Sequence, residues 1–296
     1  MGLDIGHETL KVAQIKGSLK HGRLQSINEV AIPPCSLTKD GIKDKKLIAE
    51  AIALAIKNAK PRPINARICS SALPESLVFT KIIELPKMKP EEIKKNIPFQ
   101  ATEFFPIPIE ETYMDWQIIN EFKDRNMLEI FVVAAPKVLV DSLSETVKMA
   151  GLELLGLETK PIAVSRVLIN IKEQGPYLIL DIGAKTTGIT CFDQGNIKLT
   201  STVTIGGEEI RADAEKNLQA LAAEITHLIK YYQNRIGQAQ VFKRIILAGG
   251  GANHELTQKL IQDYTKIKTE LGLPAIPMKN YDPKFAAVLG LALKDI

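Results

Sequence analysis

A short phrase that occurs twice constrains this chain more than any other feature. Gly2-Leu-Asp-Ile-Gly6 returns as Leu180-Asp-Ile-Gly183, and the surroundings repeat with it. Each copy reads as an apolar strand ending in Asp-x-Gly, a tight turn and a second strand (10–15; 188–192). A glycine-bearing turn (Gly17 and Gly22; Gly195) and a third strand (23–32; 197–203) follow. Apolar residues recur at close to every second position here, as a half-buried strand requires. A helix comes next in both copies, over 43–58 and 208–235. Its apolar residues step by three and four, as in Ile48, Ile52 and Ala55 or Leu218, Leu221 and Ile225, so one face is buried. Each helix leads to a further strand (66–73; 244–248), and the second copy closes with helix 253–272, strand 275–278 and helix 283–293. This order predicts two α/β layers facing each other across a gap, with Asp4 and Asp181 on its opposite walls.

Residues 76–149 have no counterpart in the second copy. They read as a strand (77–84), a helix from Pro90 stopped by Pro106 and Pro108, strands at 112–121 and 127–134, and a helix at 137–149 ending before Gly151. Regular structure resumes at 152–157 and 161–171, and Gln174-Gly175-Pro176 is the linker candidate. The expected division is a first half (1–75 and 150–174), an inserted α+β subdomain (76–149) and a second half (175–296).

A length of 296 residues suits two medium domains or one domain duplicated. The net charge of +4 is spread among mixed signs, and aromatics are only 5%. That argues against nucleic acid, whose binders show a basic stripe with rings for stacking. Cys35, Cys69 and Cys191 are far apart and odd in number, which predicts reduced structural thiols. His7, His21, His227 and His254 stand alone, giving no basis for zinc. No basic-then-apolar leader and no run of about eighteen apolar residues is present, so a cytoplasmic protein without membrane insertion is expected.

The Asp-x-Gly turns carry the chemistry. A strand-end Asp can hold a hydrated Mg²⁺ through water while backbone N–H groups approach phosphate oxygens, and glycine leaves that approach open. Asp4, Gly6, His7, Thr9 and Lys11 form the first such group; Asp181, Gly183, Lys185, Thr186 and Thr187 form the second. The strand ending in Gly249-Gly250-Gly251 opens onto a helix and could face a ribose or adenine. Asp115, Asp141 and Asp193 read as ordinary surface or turn residues, so no catalytic base is assigned.

In this order the motifs resemble the actin, Hsp70 and sugar-kinase superfamily. Within it the chain is similar to the PilM family of type IV pilus assembly proteins. Residues 2–11, 180–187 and 247–251 match the superfamily's two phosphate loops and adenosine motif. The insert matches the family more specifically. Ile82-Ile-Glu-Leu-Pro-Lys-Met-Lys-Pro-Glu-Glu-Ile93 is similar to its Leu-Pro-x-Met-x-x-x-Glu-Leu pattern. Ala101-Thr-Glu-Phe-Phe-Pro-Ile-Pro-Ile-Glu110 is similar to its Pro-rich segment, with Asp115 matching the Asp that follows. The resemblance implies a duplicated ribonuclease H-like (actin-like ATPase) fold. Two departures weaken the expectation of tight ATP and Mg²⁺ binding. One helix replaces the family's longer segment after Gly206-Gly207, leaving Glu215-Lys216 as a poor substitute for its adenosine helix. His7 and Glu8 also stand where small hydroxyl residues are usual, and a carboxylate beside triphosphate is repulsive.

By this resemblance the chain is a cytoplasmic scaffold, peripheral to the inner membrane, that binds the N-terminal tail of a PilN-like protein. Other pilus platform proteins and self-association complete the expected partners. The groove is expected between the first-half core and the insert, walled by Pro98, Phe99, Phe104, Phe105 and Pro106; the bland alternative makes those rings the insert's core. The alternatives are slow ATP hydrolysis through Asp4, Lys11 and Asp181, phosphotransfer on the same fold, and FtsA-like filaments. FtsA ends in a basic amphipathic helix, whereas this sequence stops soon after Lys294, which favours the PilM reading.

Overall fold

A computed structural model describes the chain except residues 18–21, 35, 171–174, 237–240, 277, 279–280 and 295–296. His21, Cys35 and Gln174 of the sequence reading lie outside the described residues.

The first half begins with an antiparallel meander, β1 (Gly2–Ile5), β2 (Thr9–Lys16) and β3 (Arg23–Ala31). A small hairpin that the sequence did not suggest follows, β4 (Leu37–Thr38) with β5 (Gly41–Ile42). Helix α1 (Lys45–Lys57) starts at Asp44, whose carboxylate accepts the Leu47 N–H at 2.9 Å, an N-cap contributing about 1 kcal/mol. Its Ile48 and Ile52 are buried, each contributing about 1.5–3 kcal/mol. The chain returns as β6 (Ile68–Leu73), parallel to β1.

Strands β7 (Phe79–Pro86), β8 (Thr112–Phe122) and β9 (Met127–Pro136) form a separate antiparallel sheet in the order β7-β9-β8, covered by helix α2 (Pro90–Ala101). Helix α3 (Lys137–Met149) turns back onto the first half, where its Leu139, Leu143 and Val147 share a core with Ile48 and Ile52. Strand β10 (Glu153–Thr159) then joins β6 in parallel and leads into α4 (Lys160–Leu168).

The second half repeats the plan with β11 (Tyr177–Ile182), β12 (Thr187–Asp193) and β13 (Asn196–Val203). The single helix expected over 208–235 is two, α5 (Gly207–Ala212) and α6 (Ala214–Ile236). Asp213 between them is extended and its carboxylate accepts the Lys216 N–H, so an interior residue acts as a cap. Strand β14 (Arg244–Ala248) lies parallel to β11. The helix expected over 253–272 is shorter, α7 (Thr257–Thr265), ended by left-handed Lys266. A strand missed by the sequence reading, β15 (Thr269–Leu271), pairs with β14. No strand forms among the described residues of 275–278, and Pro277 lies outside them. A 3-10 turn over Pro283–Phe285 opens into α8 (Ala286–Ala292).

The two large sheets have the orders β3-β2-β1-β6-β10 and β13-β12-β11-β14-β15. Counted within each half, both read 3-2-1-4-5. The closing helices α4 and α8 pack on each other between the sheets, in a core that joins both halves and includes Ile119 and Phe131 of the β7–β9 sheet. Gly290 makes that crossing close: a Cβ there would sit 1.8 Å from the Ala163 carbonyl oxygen. Cys69 and Cys191 are buried and free; burial pushes both thiols up, Cys69 to about 11.

Candidate functional site

Both Asp-x-Gly turns close alike, Gly6 donating its N–H to the Thr9 carbonyl and Gly183 to that of Thr186, each at 2.9 Å. These two amides are therefore spent inside the turns. Cross-strand partners differ: Lys11 stands opposite Asp4, Gly188 opposite Asp181. Gly188 makes room for Glu75, whose Oε2 would lie 2.7 Å from a Cβ placed there. Behind Asp181, Gly249 has a φ of 81° and its missing side chain admits the Asp181 carboxylate, 2.7 Å from where a Cβ would be.

A cleft of about 360 Å³ gathers Asp4, Gly6, His7, Thr9, Lys11, Asp181, Gly183, Lys185, Thr186, Gly249, Gly250 and Gly251. Thr187 is the exception: it is buried, and its hydroxyl donates to the Ile205 carbonyl at 2.6 Å. Lys185 lines the cleft but is paired with Glu208.

At the centre lies Lys160, the first residue of α4. Its Nζ forms an ion pair with Asp4 Oδ1 at 2.9 Å. Burial pulls the ammonium's pKa down, but Asp4, then Asp181 and Glu75, outweigh it and leave it raised. Burial likewise pushes Asp4 up, and Lys160 with Lys11 overcomes it, holding this carboxyl below the usual range. Asp181 goes the other way: burial and the Asp4 charge outweigh the lysines and raise it. Glu75 is raised to about 8, by burial first and then by Asp181. Although part of the residue reaches solvent, its Oε1 is sealed without a hydrogen-bond partner. At the rim, Lys284 bonds Glu29 at 2.6 Å, with Lys11 3.3 Å from the same carboxylate and bonded to Thr9 Oγ1 at 2.7 Å.

Lys160, Glu75, Glu29 and Lys284 were missed by the sequence reading. Lys160 had one signal: it stands at a strand-to-helix junction, and parallel strands aim their carboxyl ends at ligand crevices. Asp193, read as a surface or turn residue, ends β12 before the Gln194-Gly195 turn but is buried, and accepts the Tyr232 hydroxyl at 2.8 Å.

Glycine turns beside lysines suit a phosphate-bearing ligand. Mg²⁺ is a different matter, because it needs octahedral oxygens and usually keeps several waters. Asp4 already carries an ammonium, and a divalent ion about 4 Å from it would be repelled by about 8 kcal/mol at an effective dielectric constant of about 20. The donor set does not fit the metal while Lys160 stays in place.

The rings expected to wall the groove separate. Phe105 is buried, 5.9 Å from Phe79. Phe99 is 76% exposed and Phe104 42% exposed, with Lys81 Nζ 4.9 Å from the Phe104 ring. Pro98 sits half-buried inside α2, and Pro106 is exposed. Beside Phe104, Ile83, Ile97, Ala101, Phe105, Val132 and Lys81 close against one another with no room for a water-sized molecule, so no open groove lies among these side chains of the β7–β9 unit.

Comparison with known proteins gives the context. The family model described as type IV pilus assembly protein PilM matches residues 2–219, and that of cell division protein FtsA matches 178–290. FtsA of Bacillus subtilis (strain 168) is 21% identical over 298 residues, covering 91% of this chain and 67% of the relative. A solved PilM–PilN type IV pilus biogenesis complex superimposes with a TM-score of 0.81 at 22% identity, over 99% of this chain and 97% of that one. MreB5 of Spiroplasma citri bound to AMPPNP does so with a TM-score of 0.50 at 14% identity, over 97% and 93%. The fold is the actin-like ATPase fold. With one family model spanning residues 2–219 of 296, the chain belongs to the type IV pilus assembly protein PilM family.

Proposed function

We propose that this protein is a scaffold of the type IV pilus assembly platform, holding the cytoplasmic N-terminal tail of a PilN-like inner-membrane protein. The observation that carries the reading is the exposed pair Phe99 and Phe104 on the β7–β9 unit, on a chain whose family and fold are those above. An extended tail can lay apolar side chains against these exposed rings while its main chain bonds a strand edge, and β7 and β8 are both edges of their sheet. No helix among the described residues is long and apolar enough to cross a membrane. The proposed location, following from the partner, is the cytoplasm, peripheral to the inner membrane. Other platform proteins and self-association belong to the same proposal. So does the division into a first half (1–75, 150–174), an insert (76–149) and a second half (175–296), with α3 grouped by packing with the first half.

The glycine-turn cleft is proposed as the place for a nucleotide. Lys11 and Lys160 would face its phosphates, and Gly249 to Gly251 its nucleoside end.

The test is calorimetry of a synthetic PilN-like N-terminal peptide against the full chain at low salt. Phe99→Ala with Phe104→Ala should weaken binding at least about tenfold, the loss of about 1.4 kcal/mol, without a change in unfolding midpoint. No heat of binding to the unmutated protein would refute the proposal.

A further inference from the structure

We propose that Lys160 is a built-in counter-ion that occupies the place of a divalent metal, so that this cleft is neutralised by the chain itself and takes its ligand without Mg²⁺. The inference rests on reading the cleft as the nucleotide site. One ammonium pairs with Asp4 at the end of β1 at 2.9 Å, in a cleft that Asp181 near the end of β11 and Glu75 in the turn after β6 also line. Lys160 opens α4, where the helix dipole disfavours a cation; the carboxylates, not the helix, hold it there. Its side chain is only 23% exposed and that of Asp4 5%, so solvent screens the pair little. Lys11, the other lysine near Asp4 and Asp181, is drawn aside by Thr9 and Glu29, which leaves the central position to Lys160.

The consequence is an exchange of partners. When a phosphate enters, the ammonium on its flexible four-carbon stem turns from Asp4 toward the phosphate oxygens. One of the two positive charges that Mg²⁺ would bring is already present.

The probes are Mn²⁺ alone, followed by the loss of the free-ion electron paramagnetic resonance signal, and ATP in EDTA or with Mg²⁺, followed by calorimetry. The unmutated protein should take up no Mn²⁺ at micromolar to low-millimolar concentration and bind ATP equally well in EDTA and in Mg²⁺. Lys160→Met, which keeps the stem, should gain one Mn²⁺ per chain and bind ATP at least about tenfold more tightly with Mg²⁺ than in EDTA. Lys160→Arg should behave like the parent. Stoichiometric Mn²⁺ uptake by the unmutated protein overturns the inference, as does ATP binding that requires Mg²⁺; the second result leaves the nucleotide reading intact. If the unmutated protein ignores ATP in both buffers, the nucleotide reading fails, and Mn²⁺ uptake confined to Lys160→Met still supports the counter-ion. Should Lys160→Met not fold, Mn²⁺ titration of the unmutated protein decides alone.

Discussion

Replacing Glu129 by alanine removes the anion that ties the β7–β9 sheet to the second half. Glu129 on β9 and Lys198 on β13 are each 7% exposed, and Lys198 Nζ is 2.6 Å from Glu129 Oε2. Arg235 of α6 reaches Glu129 Oε1 at 3.5 Å, with its own side chain 30% exposed. Glu129→Ala leaves the Lys198 ammonium buried without its carboxylate, a change that costs about 3–5 kcal/mol. Lys198→Ala costs less, because Arg235 remains on the same carboxylate. Unfolding entropy is about 2.1 cal/mol/K per residue, or roughly 0.6 kcal/mol/K for the whole chain as one cooperative unit. Glu129→Ala should therefore lower Tm by about 5–8 °C. The paired change Glu129→Leu with Lys198→Met should restore most of it, since apolar replacements of a buried pair are often neutral or better. Scanning calorimetry with urea midpoints reads all three proteins. A loss below about 1 kcal/mol for Glu129→Ala, or a double variant no better than the single, would refute the argument.

Three further outcomes follow from the geometry. Glu75 titrates near 8 folded against 4.5 unfolded, so the native state holds the extra proton between those values and stability falls as pH rises through that window. Glu75→Gln should therefore gain on the parent from pH 4.5 upward, reaching on the order of a few kcal/mol above pH 8; a pH-independent difference in urea midpoints sinks this. Gly249→Ala forces a side chain onto positive φ and against Asp181 and should cost about 1–3 kcal/mol or more in chemical denaturation; a midpoint unchanged from the parent rejects the strain. Phe105→Ala should cost about 3–5 kcal/mol and Phe99→Ala within about 0.5 kcal/mol, so equal losses would contradict the split between core and exposed rings.

The duplicated sheets were legible because their signals are local. Alternating apolar residues and the Asp-x-Gly turns mark β1, β2, β11 and β12 without reference to anything distant. What failed to show was set by contacts far along the chain. Asp213 breaks a continuous helical pattern by capping from within. The three residues of β15 are too few to show a period and form a strand because β14 offers an edge. Lys160 looks like any lysine before a proline until the cleft closes around it. Thr187 reads as a polar cleft residue by its motif, yet the strand alternation turns its hydroxyl to the Ile205 carbonyl. Phe99 lies off the face of α2 that buries Ile93, Ile97 and Ala101, whereas Phe104 and Phe105 are neighbours alike in sequence, and only the turn after α2 decides which of those two rings goes inward.

How the halves are tied bears on the function. In a fold whose halves move apart around a ligand, the joint would be apolar and slippery. Here polar ties cross it, and others fasten the β7–β9 sheet to the second half. Lys284 ahead of α8 grips Glu29 on β3, Lys198 grips Glu129, and Asn196 donates to the Ile119 carbonyl at 2.9 Å. Thr80 meets Thr200 at 2.9 Å where β7 passes β13, and Arg166 of α4 donates to the Gly290 carbonyl of α8 at 2.8 Å. Each is directional and at least partly buried, so rotation of one half breaks several before any new one forms, and the close crossing at Gly290 leaves little room to slide. Such a joint resists opening and presents the β7–β9 sheet at a fixed angle. A docking surface needs that stiffness, since every degree of freedom frozen before the tail arrives is one that binding does not have to freeze.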